Sequence, residues 1–186
     1  MAVPFATIKP EVDRLRNFII GDLDCLISQE AGGNYLAAAL ITCACDTLSH
    51  LKYGKRNKGE LFFAEIIPAG WSALAPVPYQ AIRDGIVHVY DTKVIRINSH
   101  DIEVTISWRM KPHFHLSVNK KHIFVNVQNL ASDLKDAIKR FETDLKAKPH
   151  LREVFERSMR RSRQISVENN ERKIWEQCLL KMKVAT

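Results

Sequence analysis

The chain has 186 residues, 46% apolar and 26% charged, a composition that fits a globular domain with its own core and argues against disorder. Its formal net charge is +7, which turns attention to anionic partners. No apolar run nears the roughly 20 residues that a bilayer-crossing helix needs. Met1 to Pro10 also lacks a basic stretch ahead of an apolar one. A cytoplasmic protein with no membrane partner is expected.

In chain order, Pro10 suits the first turn of a helix, and Val12, Leu15, Ile19, Leu23 and Leu26 come after it at spacings of three and four. The spacing predicts an amphipathic helix over 10–30, stopped by Gly32-Gly33. Asn34 is a candidate N-cap for a second helix to about Leu51, with Leu36, Leu40, Cys43, Thr47 and Leu51 on its packed face. Two long helices joined by a short glycine turn pack antiparallel. Cys43 and Cys45, two residues apart, show no metal or redox spacing. With Cys25 and Cys178 they read as small core residues.

Gly54 to Gly59 is a basic loop (GKRNKG), ahead of a helical stretch over 60–69. Pro76 and Pro78 punctuate the chain before a short helix from Tyr79 toward Val89. After Lys93 the period drops from about 3.6 to 2, and two hairpins are expected. One turns at Asn98-Ser99-His100-Asp101 and returns through Ile102, Val104, Ile106 and Trp108. The other pairs Phe114, Leu116 and Val118 with Ile123, Val125 and Val127 across Asn119-Lys120. Leu130 to Lys146 resumes helical spacing through Leu134, Ile138, Phe141 and Leu145, with Ser132 as its candidate cap. Pro149 opens another helix, which Ser166 and Asn169 interrupt or cap before a last amphipathic stretch through Met182.

These elements predict a mainly α, α+β protein built on an up-and-down helical bundle. Residues 1–93 form the bundle, 94–128 an inserted antiparallel β-meander, and 129–186 a closing helix with basic C-terminal helices, all in one compact domain.

From Lys148 to Lys183 ten Lys or Arg face five acids, so most of the excess charge lies in the last fifth of the chain. Such a tail attracts phosphate backbones. Lys55, Arg56 and Lys58 in the loop, with Arg160, Arg161 and Arg163 in the tail, are the candidate nucleic-acid contacts.

The run Tyr79-Gln80-Ala81-Ile82-Arg83-Asp84-Gly85-Ile86-Val87-His88-Val89-Tyr90-Asp91 is the most informative, for its Arg83-x-x-x-x-His88-x-Tyr90 pattern with Asp84 directly after the Arg. Arg is a permanent bidentate donor for phosphate, His exchanges protons near neutral pH, and Tyr supplies a hydroxyl. Cleavage of an RNA phosphodiester needs that combination: a base for the 2′-hydroxyl and a cation for the phosphorane. On a regular helix a step of five residues is about 500°, which leaves Arg83 and His88 about 140° apart. Convergence then needs a distortion near Gly85, an early helix end or a second copy. Asp84, four residues before His88, is placed to orient the imidazole. The plainer reading pairs Arg83 with a carboxylate such as Asp46 and leaves His88 as a capping or packing residue.

The pattern Arg83-Asp84-x-x-x-His88-x-Tyr90 resembles the signature of the HEPN superfamily (higher eukaryotes and prokaryotes nucleotide-binding). The resemblance covers roughly residues 10–93, with 130–146 as a completing helix. It implies a helical bundle and, in many members, a metal-independent endoribonuclease used as a toxin or in phage defence. It also implies Arg83 and His88 as catalytic residues that meet their counterparts across a homodimer interface. Tyr90 matches a position that a partner nucleotidyltransferase modifies in one toxin branch, so the resemblance implies an antitoxin or a nucleotidyltransferase as partner. The family often has Asn where this chain has Asp84, and its common bundle lacks the 94–128 sheet. The resemblance thus implies RNA as substrate, with no metal and no cofactor. The alternative is a non-catalytic dimer that binds nucleic acid or a nucleotide, or a protein-interaction module.

His113, His115 and His122 read as surface histidines on the sheet, because no carboxylate or cysteine has the spacing to complete a zinc set. Phe114, out of phase with His113 and His115, points to the core. Walker, Rossmann, Gly-x-Ser-x-Gly and His-Glu-x-x-His patterns are absent.

Overall fold

The computed structural model describes residues 3–28, 34–89, 91–108, 113–117, 119 and 121–162, with positions 87–89 and 115 described as backbone. The fold is α+β and mainly α. Its helices are α1 (Phe5–Ile27), α2 (Asn34–Tyr53), α3 (Gly59–Phe63), α4 (Pro76–Val89), α5 (Val127–Ala147) and α6 (Pro149–Ser162), with a 3₁₀ turn over Ala69–Leu74. The strands are β1 (Ile95–Ile97), β2 (His100–Ser107), β3 (His115–Leu116) and β4 (His122–Asn126). No helix among the described residues is long and apolar enough to cross a membrane.

Helix α1 begins five residues before Pro10, so that proline sits inside the helix. Proline there removes a backbone donor and crowds the carbonyl four residues back. The earlier turn persists because tertiary contacts hold it: Ile8 is buried on the core side, and Arg152 Nε donates to the Val3 carbonyl at 2.6 Å.

Helix α2 is the centre of the bundle and packs against α1, α3, α4, α5 and α6. Its buried residues include Ala37, Ala38, Ile41, Ala44, Cys45, Leu48 and Leu51, the alanines allowing neighbours to approach closely. The stripe expected to pack is instead largely its outer face. Leu36, Cys43 and Thr47 are exposed and Leu40 is half-buried, leaving only Leu51 inside. Apolar residues ring this helix, so periodicity alone does not choose the buried side.

The stretch expected as one helix over 60–69 is a five-residue α3, a turn, and the 3₁₀ segment. Phe62 and Phe63 are both fully buried, which sets two successive side chains into packed surroundings, and Pro68 ends any continuation. Helix α4 starts at Pro76, earlier than the expected Tyr79, and puts Pro76 and Pro78 in its first turn, where a missing N–H costs nothing.

Both expected hairpins form. β1 and β2 pair antiparallel with Ile95 opposite Ile102, turning at Asn98 in the left-handed region (φ 54°). β3 and β4 pair antiparallel with Leu116 opposite Ile123. The connection between them is not a meander. β2 pairs parallel with β4, from Glu103 opposite His122 to Ser107 opposite Asn126, and the strand order is β1-β2-β4-β3. This order sets Val104 and Ile106 beside Ile123 and Val125, all buried, at the centre of the sheet. The two-residue β3 takes the edge. Beyond β1, the β2 edge is closed by side chains: Thr92 Oγ1 donates to the Val104 carbonyl and Asn34 Nδ2 to the Ile106 carbonyl. Asn34 therefore sutures the start of α2 to the sheet.

α5 begins five residues before the expected cap Ser132. Its cap is Asn126, the last residue of β4, whose side chain accepts from the Asn129 N–H at 3.0 Å. Leu130, Leu134, Ile138, Phe141 and Leu145 bury as their spacing requires, and α6 opens at Pro149. The expected Gly32-Gly33 turn, the caps Ser166 and Asn169, and Cys178 lie outside the described residues.

Two substitutions one residue apart test the orientation of α2. Ile41→Ala is expected to cost about 2–5 kcal/mol in urea unfolding. Leu40→Ala, on the outer side, should cost less than half of that, and the reverse order would contradict this placement.

Candidate functional site

Among the described residues, the Arg83 region is a cleft of about 480 Å³ between α2, the loop before α3, and α4, lined by Asp46, Lys58, Glu60, Tyr79, Gln80, Arg83 and Asp84. Arg83 occupies the middle of α4 and faces carboxylates from two helices. Its Nε lies 3.3 Å from Asp46 Oδ2, and its Nη1 lies 2.8 Å from Asp84 Oδ1. The plainer sequence reading, Arg83 against Asp46, therefore describes the contact. The Arg83 guanidinium beside it holds the Asp84 carboxyl below the usual carboxylate range.

Asp46 does more than meet Arg83. Its Oδ1 accepts from the Gly59 N–H at 3.1 Å, while Ser49 Oγ, one turn along α2, donates to the Lys58 carbonyl at 2.6 Å. Both groups belong to the peptide joining Lys58 to Gly59, so α2 grips one peptide unit from its two ends. The Tyr79 hydroxyl is buried beside the same carboxylate, and burial pushes its pKa well above the ordinary phenol value. A Cβ on residue 59 would lie 2.0 Å from that hydroxyl and 2.6 Å from Asp46 Oδ1. Only glycine fits this approach.

The helix carrying the motif is not broken at Gly85. α4 continues to Val89, so positions 83 and 88 stay about 140° apart around its axis. Gly85 serves the chain that folds back along α4: a Cβ there would meet the Asp91 carbonyl oxygen at 2.3 Å. The Lys93 N–H bonds the Ala81 carbonyl at 2.9 Å on the same return. His88 lies in the last turn of α4, and Tyr90 falls outside the described residues.

The candidate cations fall into two connected groups. Lys58 stands on the cleft, 3.3 Å from Glu60 Oε1. Lys55 and Arg56 are exposed on the same loop, and Arg56 Nη2 donates to the Arg161 carbonyl at 2.9 Å. That bond joins the loop to the end of α6 across 105 residues of sequence, making one cationic ridge of Lys55, Arg56 and Arg161. Arg160 is tied to Glu156 at 2.6 Å, and Arg163 lies outside the described residues. His50 is buried next to this ridge, and burial, then Arg56, holds its imidazole below the ordinary pKa.

Among the described residues, no group of three His, Cys, Asp or Glu suits a metal ion. His113 is half-buried with its imidazole largely covered, not the surface residue expected. It precedes β3, Phe114 beside it packs against Phe63 and Trp71, and the positive φ of Phe114 (49°) turns the chain there. His113 Nδ1 accepts from the Asn126 N–H at 3.2 Å, and Nε2 lies 3.5 Å from Asp133 Oδ2. Burial lowers the imidazole to about 4. His122 is half-buried, stacks on Phe124 with rings 5.9 Å apart, and lies 3.4 Å from Glu103 Oε2. Of the described cysteines only Cys45 is buried, whereas Cys25 and Cys43 are exposed.

Searches of family models, curated proteins and solved structures find no match for this chain. The site is therefore read from its own residues. Sequence reasoning does not single out Ser49, Gly59 or Tyr79 as members of it. The one available signal is that Asp46 is the sole acidic residue among the twenty of α2.

His113 gives the protein a pH dependence of known sign. Its folded pKa lies below the ordinary value, so its contribution is complete above about pH 6.5 and is lost as the pH falls toward 4. Thermal unfolding measured from pH 7 to pH 4 should show a falling midpoint. The part of that fall due to His113 should be absent in His113→Gln.

Proposed function

We propose that this chain is a HEPN-like, metal-independent endoribonuclease of the cytoplasm, in a toxin or phage-defence role. The observation that carries the reading is the joining of the Arg83 cleft to a cationic ridge. Lys58 stands on the cleft, and the loop leads through Arg56 to Arg161. A single-stranded RNA lying along Lys55, Arg56 and Arg161 would bring one phosphodiester to Arg83.

In this reading His88 takes the proton of the 2′-hydroxyl, that oxygen attacks the adjoining phosphorus, and Arg83 neutralises the phosphorane. Departure of the 5′-oxygen leaves a 2′,3′-cyclic phosphate. Asp84 and Tyr90 position the histidine and the substrate. Because α4 separates positions 83 and 88 around its axis, the reading includes a second copy whose motif completes the cleft. The outer stripe of α2, Leu36, Leu40 and Cys43, is the apolar surface available beside Asp46 for that copy. Where Tyr90 is a modification site, a partner nucleotidyltransferase or antitoxin would act there.

One observation favours a second reading, a dimer that binds RNA without cutting it. Arg83 already gives Nε to Asp46 and Nη1 to Asp84, so a phosphate must share the guanidinium with two carboxylates. Binding through the ridge needs no such sharing.

Incubation of the purified protein with total RNA in excess EDTA separates the readings. The expected result is cleavage with 2′,3′-cyclic phosphate ends, slowed about 10²-fold or more in His88→Ala and Arg83→Ala. Salt-sensitive binding without cleavage would select the second reading, and cleavage undiminished in both variants would overturn the proposed roles.

A further inference from the structure

We infer that Asp46 is a positioning residue of the Arg83 site, setting Arg83 and Lys58 as a pair of donors for one RNA phosphate. The inference rests on the reading of the cleft as the RNA site. A guanidinium has five N–H donors in a rigid plane, so fixing two edges fixes the direction of the third. Asp46 holds Nε at 3.3 Å and Asp84 holds Nη1 at 2.8 Å. The two N–H groups of Nη2 and the second of Nη1 then remain for a ligand, on a side chain that is 38% exposed.

The same carboxylate fixes the second donor. Asp46 Oδ1 accepts the Gly59 N–H, and Ser49 Oγ donates to the carbonyl of the same peptide, so the backbone that carries Lys58 cannot shift along α2. Lys58 reaches Glu60 only at 3.3 Å and its side chain is 56% exposed, which leaves its ammonium able to turn toward a phosphate. One carboxylate therefore holds Arg83 directly and Lys58 through its backbone. Lys58 supplies a second cation to a cleft whose carboxylates are Asp46, Asp84 and Glu60. Glycine at 59 is part of the device, because any side chain there would push Tyr79 or Asp46 away.

The test monitors the Nε–H resonance of Arg83 by NMR while a short single-stranded 2′-O-methyl oligoribonucleotide, which has no free 2′-hydroxyl to attack, is added. In the wild type that resonance is expected to shift saturably. Asp46→Ala should weaken the saturation about tenfold or more, while the backbone amides of α1, α5 and α6 keep their positions. Asp46→Asn retains an oxygen for the Gly59 N–H but turns an amide NH2 toward the Arg83 Nε–H, so it should keep the loop in place and still weaken the saturation. It also provides the readout if the alanine variant fails to fold. The inference is overturned if Asp46→Ala titrates like the wild type, or if the Arg83 resonance of the wild type ignores the oligonucleotide. An intact titration in a protein that does not cut RNA would remove the nuclease reading and leave the role of Asp46 standing.

Discussion

The carboxylate of Asp46 is where three pieces of chain are brought to one point. It projects from the central helix, accepts from the backbone that opens α3, and meets the guanidinium of α4. A charge in the middle of an otherwise uncharged stretch of α2 is costly to desolvate, and it is kept because its neighbours supply donors. The geometry of the cleft depends on this. Fixing Gly59 fixes the loop, fixing Arg83 fixes the direction of its remaining N–H groups, and the absence of a Cβ at 59 lets both meet.

The sheet depends on a similar economy of backbone groups. β1 covers only the first part of one β2 edge, and side chains from Thr92 and Asn34 take the carbonyls beyond it. Because Asn34 begins α2, the strand edge and the central helix are fastened at one end, while Asp46 fastens the helix to the cleft farther along. Asn126 continues the pattern on the other side: it closes β4, caps α5 with its side chain and gives its N–H to half-buried His113. The inserted sheet is thus tied into the bundle by polar contacts as well as by Val104, Ile106, Ile123 and Val125.

Features that depend on local pattern are legible in the sequence. The apolar spacing of α5, the proline at the start of α6, the glycine-flanked basic loop and the two hairpins all rest on short-range rules, and they appear where those rules put them. Pairings between distant segments are hidden. An alternating strand carries no mark of which neighbour it will join, so the parallel pairing of β2 with β4 cannot be read from either. The buried side of α2 is equally silent, because apolar residues surround that helix. The surface position expected of His113 fails because β3 begins only at His115, which leaves His113 in the turn before it, under the end of β4. In the site, the meeting of Arg83 with Asp46 is legible as opposite charges. The grip on the Lys58–Gly59 peptide and the bond from Arg56 to Arg161 depend instead on the folded path of the loop.

A double-mutant cycle on folding stability, built from Asp46→Ala, Arg83→Ala and the double variant, tests the central junction most directly. The two residues touch across helices, so their effects should couple by about 0.5–3 kcal/mol, with the double variant losing less than the sum of the single losses. Additive losses, equal to the sum within about 0.3 kcal/mol, would mean that Asp46 and Arg83 act independently and that no such junction exists in solution.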